Sequence, residues 1–298
     1  MEACLFSSNS FTKTIEVLPQ VRARILTYKR KRLNQYQSKT HAAPLSLSCS
    51  TSASPRDEEN PFVKSDWRAF RARLVANESQ SIRPGHQSAD QNAPASPHTP
   101  IPFGSKWAHT IHEPEKGCLL IATEKLDGVH IFERTVILLL STGPIGPTGL
   151  ILNRPPPMSI KEMKSYPFDV SGTFSDRPLF FGGPLEEVMF LVSPKEEGNT
   201  EIVEKSGVFE EVMKGLYYGT KESVGCAVEM VKRDMVKVGE FRFFDGYCGW
   251  DKEQLRDEIR AGYWTVAACS SGVVGLTSVG HIGLWEEILG LMGRRKVS

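Results

Sequence analysis

Residues able to bind or move a charge stand out at three places in the 298-residue sequence, each beside glycine or proline. Asn153 and Arg154 end the apolar run GLIL and precede three prolines, Pro155 to Pro157. An arginine held there presents a planar fork that suits a carboxylate or a phosphate. The structural alternative has Asn153 bonding backbone at a turn and Arg154 paired with an internal acid such as Glu186 or Asp245. Gly182 and Gly183, followed by Pro184, suit either a nest of backbone N–H groups around an anion or a plain turn. Asp245, Tyr247, Cys248 and Trp250 then bring carboxylate, phenol, thiol and indole together just before an expected helix N-terminus, where the helix dipole favours a thiolate. Equally, Asp245 caps a turn there and Trp250 fills the core. The candidate ligand-binding residues are therefore Asn153, Arg154, Gly182, Gly183, Asp245 and Tyr247. They would take a small anion, with Asp245 or Tyr247 moving a proton if a reaction follows.

No coherent catalytic constellation accompanies them. GxGxxG, GxxxxGK[ST], HExxH and GxSxG are absent, and Ser270-Ser271-Gly272 lacks the nucleophile-elbow pattern. His109 and His112 with Glu113 have the chemistry of metal ligands but read as a flexible, proline-flanked stretch, so no metal and no cofactor is expected. The six cysteines form no CxxC and no compact framework, so reduced thiols are the default.

The elements that must position these residues follow from pattern. Residues 135 to 157 read as the central pair of strands, two β-branched and leucine-rich runs joined by GPIGPTG, and CLLIA before them is another strand. Pro155 to Pro157 end the second run sharply. Ser159 to Glu162 has the form of a capping box and predicts a short helix to about Tyr166. PLFFGGPLEEVMFLVSP predicts two strands around a Gly-Gly-Pro turn, followed by a variable loop at 195 to 200. Val224, Ala227, Val228, Val231 and Met235 share one face of a helix starting near Ser223. EFRFFDGYCGW reads as a strand and a tight glycine turn; Asp251 to Gln254 caps a helix that Gly262 stops; YWTVAAC is a last strand; Trp285, Ile288, Leu289 and Met292 mark a terminal helix. Strands dominate without a βαβ rhythm, which predicts an α+β fold.

Composition divides the chain. Residues 1 to 55 hold eight Lys or Arg against Glu2 and Glu16, and the totals of 36 basic and 35 acidic residues fall to 28 and 33 from Arg56 onward, a net of −5. A basic, serine-rich, acid-poor start predicts a plastid transit peptide over 1 to 55 and a chloroplast location, in the stroma. The acidic remainder speaks against nucleic acid as a partner. Residues 56 to 76, with Phe62, Trp67, Phe70 and Leu74 near helical spacing, predict a short amphipathic segment that packs on the body or a partner. Residues 77 to 104 carry five prolines and predict a disordered linker, leaving 105 to 298 as the one globular domain. No apolar run is long enough for a transmembrane span. A protein partner, a small anionic ligand or a homo-oligomer remain as assemblies.

FERTVI at 132 to 137, GLILNRP at 149 to 155, GGP at 182 to 184 and GYCGW followed by QL at 246 to 255, with Trp264 beyond, stand in an order and spacing that resemble the YqgE/AlgH family. The resemblance covers about half the chain. It implies a single α+β domain with a strongly curled, partly barrel-like mixed or antiparallel sheet and helices packed outside. It implies no established reaction, so the expected role is a non-catalytic binding or regulatory module, with an enzyme or sensor for an anion as the alternative.

Overall fold

Short apolar runs punctuated by glycine and proline fold into eleven strands, and apolar residues at three- and four-residue spacing into five α-helices, among the described residues of a computed structural model. Those residues are 67–81, 106–163, 172–195 and 197–293. In chain order come α1 (Trp67–Ser81), β1 (Ala108–Thr110), β2 (Leu119–Ala122), β3 (Val136–Ser141), β4 (Thr148–Ile151), β5 (Met158–Ser159), β6 (Pro178–Phe181) and β7 (Leu185–Val192). Then follow α2 (Glu197–Lys205), β8 (Glu210–Met213), β9 (Leu216–Thr220), α3 (Val224–Lys232), β10 (Phe241–Gly249), α4 (Lys252–Arg260), β11 (Trp264–Cys269) and α5 (Leu284–Leu291).

The central pair is β3 and β4, antiparallel, with Leu138 opposite Leu150. Val136 to Leu140 are wholly buried, because both faces of β3 are covered. The ladder order is β1-β11-β2-β3-β4-β10-β7-β9-β8, with β6 joined to β10 and β5 to β6 beside this path; among the described residues β1 and β8 do not meet, so the sheet does not close into the partly barrel-like form expected. It is mixed in one place only among the described pairs: β6 runs parallel to β10, with Phe243 beside Leu179.

Two apolar layers flank the sheet. Phe190, Phe241 and Phe243 pack with Val224, Ala227 and Val228 of α3, whose Glu229, Lys232 and Arg233 face water as expected. Leu120, Ile137, Ile151, Trp250 and Trp264 pack with Leu255 of α4. At the C-terminal end Trp285 of α5 donates its indole N–H to the Ala122 carbonyl at 2.9 Å, docking this helix on β2.

Several expectations change. β6 and β7 are not a hairpin around Gly182-Gly183: each pairs with β10, β7 antiparallel along six positions from Phe241 to Tyr247. The tight glycine turn expected within EFRFFDGYCGW is not there: β10 continues to Gly249, bulging at Gly246 to reach β4. The expected loop at 195 to 200 contains the start of α2. The turn after Ser159 is a 3-10 turn, Ile160–Glu162, and the rest of the helix expected to about Tyr166 falls largely outside the described residues, as do the transit-peptide stretch and most of the linker. α1 runs to Ser81, five residues into the stretch expected as linker. Of the two packings the sequence left open, the aromatic side does not lie on the body: Trp67, Phe70 and Leu74 are 53%, 58% and 49% exposed, while Ala72 is buried. The face turned inward carries Arg68 and Arg71, because Glu115 and the Lys116 carbonyl wait there to receive them.

Candidate functional site

The end of β4 is where the ladder gives out and side chains take over. Asn153 is buried; its Oδ1 accepts from the Val136 N–H at 3.0 Å and its Nδ2 donates to the Arg134 carbonyl at 2.7 Å. These two bonds continue the β3–β4 pairing in side-chain form, one step beyond the Leu152 N–H to Val136 carbonyl bond. Arg134 sits at φ 48°, a left-handed conformation uncommon outside glycine and costly for most residues. Asn153 grips the carbonyl of that residue, so its amide helps hold the strained turn.

Arg154 works on the same turn. Its Nη2 donates to the Glu133 carbonyl at 2.6 Å, to the Ile131 carbonyl at 3.3 Å and to Thr135 Oγ1 at 2.8 Å. Thr135, fully buried, donates its own hydroxyl hydrogen bond to the Ile131 carbonyl at 3.0 Å. Burial lowers the Arg154 pKa, and Glu133 partly opposes this. Among the described residues no carboxylate forms an ion pair with Arg154; its partners are carbonyl and hydroxyl oxygens, not the Glu186 or Asp245 that the sequence suggested. Asn153, by contrast, bonds backbone as its structural alternative required.

Gly182, Gly183, Asp245 and Tyr247 come together at a second place, where the β6–β7 turn crosses the β10 bulge. The Gly182 N–H donates to the Asp245 carbonyl at 2.9 Å and its own carbonyl accepts from the Ile151 N–H at 3.0 Å, so this amide closes a ladder. A Cβ on Gly183 would lie 2.5 Å from the Cys248 nitrogen, and one on Gly246 would overlap the Gly183 carbonyl. Three glycines thus let two backbones touch. Tyr247 is buried, opposite Leu185. The Asp245 carboxyl is half-buried, and its pKa is raised first by burial and then by the nearby Glu186 carboxylate. Gly182 also links the two places, since its partner Ile151 lies two residues before Asn153.

The thiol of Cys248 is buried and its Sγ donates to the Gly182 carbonyl at 3.7 Å. Burial first, and the Glu258 charge second, push its pKa well above the ordinary thiol range, the opposite of an activated nucleophile. Cys118 and Cys269 are likewise pushed up by burial, each to about 12.

One carboxylate went unnoticed in the sequence. Glu258 of α4 accepts the Trp250 indole N–H at 3.0 Å and the Trp264 indole N–H at 2.8 Å on a single oxygen, Oε2, while Oε1 accepts from Gln254 at 2.9 Å. The two indoles meet edge to face, centroids 6.3 Å apart. The available signal was the four-residue step from Gln254 to Glu258 on one helix face; the two tryptophans could not be placed beside it without the fold.

Comparison with known proteins accords with the motifs. The AlgH-like family profile matches residues 119–296. A UPF0301 protein of Chlorobium luteolum is 33% identical over 161 residues, 53% of this chain and 76% of the relative. One from Chlamydia muridarum is 32% identical over 189 residues, 62% of this chain and 90% of the relative. Among solved structures, protein DIP2367 of Corynebacterium diphtheriae aligns with a TM-score of 0.45 at 23% identity, over 62% of this chain and 90% of that one. The AlgH protein of Pseudomonas aeruginosa aligns with a TM-score of 0.39 at 18% identity, over 55% and 84%. With a profile match over more than half its length, the chain belongs to the AlgH-like family.

Proposed function

We propose that this chain is a non-catalytic binding or regulatory module of the plastid stroma, and that the outward side of α1 is its contact face. The observation that carries the reading is the exposed stripe of Trp67, Phe70 and Leu74, spaced three and four residues apart on one side of α1. Exposed aromatic side chains at such spacing are what a helix offers to a partner's groove. The polar residues of the family motifs support the same view from the other side: Asn153, Arg154 and Gly182 hydrogen-bond within the fold. The plastid address rests on the eight basic and two acidic residues of positions 1 to 55.

The test is native mass spectrometry of the mature protein, gently isolated from plant cells. A discrete protein partner bound to the wild type and lost from a Trp67→Ser, Phe70→Ser, Leu74→Ser variant supports the reading; a bare subunit, or a partner retained by the variant, overturns it. A fluorescent fusion to residues 1 to 55 should accumulate inside plastids, and a cytosolic or mitochondrial signal removes the address.

A second reading, a sensor or enzyme for a small anion at Arg154 and the Gly182-Gly183 turn, is favoured by one observation: the Arg154 charge is met by neutral oxygens among the described residues. A small mass excess in the same spectra, lost on Arg154→Ala, would move the assignment there.

A further inference from the structure

β1 carries a histidine that its surroundings do not satisfy. His109 is only 9% exposed, and neither Nδ1 nor Nε2 has a hydrogen-bond partner among the described residues. Its ring stacks on Trp107, centroids 5.4 Å apart and 26° from parallel. Buried polar atoms are rarely left unpaired, so such a pair of nitrogens asks for an explanation. The explanation lies in what covers them. α1 packs on β1 and brings Arg71, whose Nε is itself buried without a partner among the described residues while Nη2 holds Glu115 Oε1 at 2.9 Å.

We infer that His109 is a proton-operated latch for α1: neutral, it lets the helix lie on β1, and protonated, it expels the helix by repelling Arg71. A neutral imidazole can stack on Trp107 near an arginine at no charge cost; an imidazolium is a second buried cation near it, with no acceptor on either nitrogen among the described residues.

The charges around His109 fit this. From α1 come Arg71, which pushes against the proton, and Arg68, which donates to the Lys116 carbonyl and lies 3.7 Å from Glu115. From the turn before β2 comes Glu115, which favours the proton but is already shared between those two arginines. β11 places uncharged Ala268 opposite His109, with the buried thiol of Cys269 next to it. α5 contributes Glu287, held by Lys106 at 2.7 Å. Burial and then Arg71 lower the histidine pKa, with Glu115 opposing. A group whose folded pKa is depressed binds its proton less tightly when folded. The docking it supports is therefore fully present above the unfolded value of about 6.5 and is lost as pH falls through the folded value.

The consequence, though not the mechanics, rests on the binding reading: α1 carries the Trp67, Phe70 and Leu74 stripe, so the latch would set how rigidly that face is presented. The experiment is hydrogen exchange of the full chain at about pH 8 and about pH 5.5, with peptides from 67 to 81 referred to peptides from α3 in the same sample so that the intrinsic pH dependence cancels. Relative protection of α1 should fall at least about fivefold on acidification, as like-charge repulsion at a part-buried site requires. His109→Phe, which loses no hydrogen bond, should abolish the change, and Arg71→Met should shrink it. An unchanged α1 in the wild type, or the same fall in His109→Phe, overturns the latch. Should that variant fail to fold, a nuclear magnetic resonance titration of His109 in the wild type decides: a pKa below the ordinary histidine value keeps the proposal, and one at or above it ends it. Loss of the partner on substituting the stripe is a separate outcome, so the two readings fail independently.

Discussion

Asn153 takes over from the main chain at the point where β4 can no longer pair, and this makes it costly to lose. Asn153→Ala leaves the Val136 N–H and the Arg134 carbonyl without partners, and the expected loss is about 2–4 kcal/mol, from the desolvation cost of two unpaired groups. Chemical denaturation measures it directly. Asn153→Asp still accepts from Val136 but turns a carboxylate oxygen toward the Arg134 carbonyl, so only part of the loss should return. Asp245 carries the opposite sign. Its folded pKa lies above the unfolded one, so the stability it contributes is present below about pH 4 and is lost as pH rises through the folded value. Asp245→Asn should therefore raise the denaturation midpoint at neutral pH and leave it nearly unchanged near pH 3, and a fall at neutral pH would show that the carboxylate has a partner that favours its charge. At this scale the sequence showed part of what these residues touch. That Asn153 bonds backbone was legible from an asparagine at a strand end; that Arg154 clasps the turn at 131–135 was not, since the turn lies some twenty residues away.

Between elements, the crossing of the β6–β7 turn over β10 is the most demanding contact. Gly183→Ala places a methyl against the Tyr247 and Cys248 backbone, where nothing can rotate aside, and overpacking of this kind costs about 1–3 kcal/mol before any shift of the strands is counted. The unfolding midpoint of the variant reports it. The α4 contact is polar by contrast. Glu258→Leu strands two indole N–H donors at once and should lose about 2–4 kcal/mol, seen in denaturation followed by tryptophan fluorescence. α3 and α4 were legible because their signals are contiguous: an apolar face at helical spacing in one, an Asp251 cap and a Gly262 stop in the other. α1 was legible as a helix but not in its orientation. Periodicity left the aromatic face to pack on the body or a partner; two arginines finding Glu115 and the Lys116 carbonyl before β2 turn it outward.

For the whole molecule, charge and connectivity matter more than any one contact. The net of −5 beyond position 55 leaves few places for a phosphate backbone, so a chain starting at Arg56 should bind single-stranded RNA no more tightly at about 50 mM than at about 200 mM salt, in contrast to the steep salt slope of a phosphate-binding protein. A filter-binding series checks this. The sequence by itself determined the α+β character, the central β3–β4 pair, the Asp251 cap of α4 and the family, because hydrophobic period, proline stops and caps are written in neighbouring residues. Only the tertiary structure decided that β6 and β7 flank β10 instead of each other, that β10 runs on through Gly246, that the sheet does not close and that α1 shows its aromatic side to solvent. Each of those depends on which distant strand or charge reaches a segment first in space, and a local pattern holds no record of a partner sixty residues away.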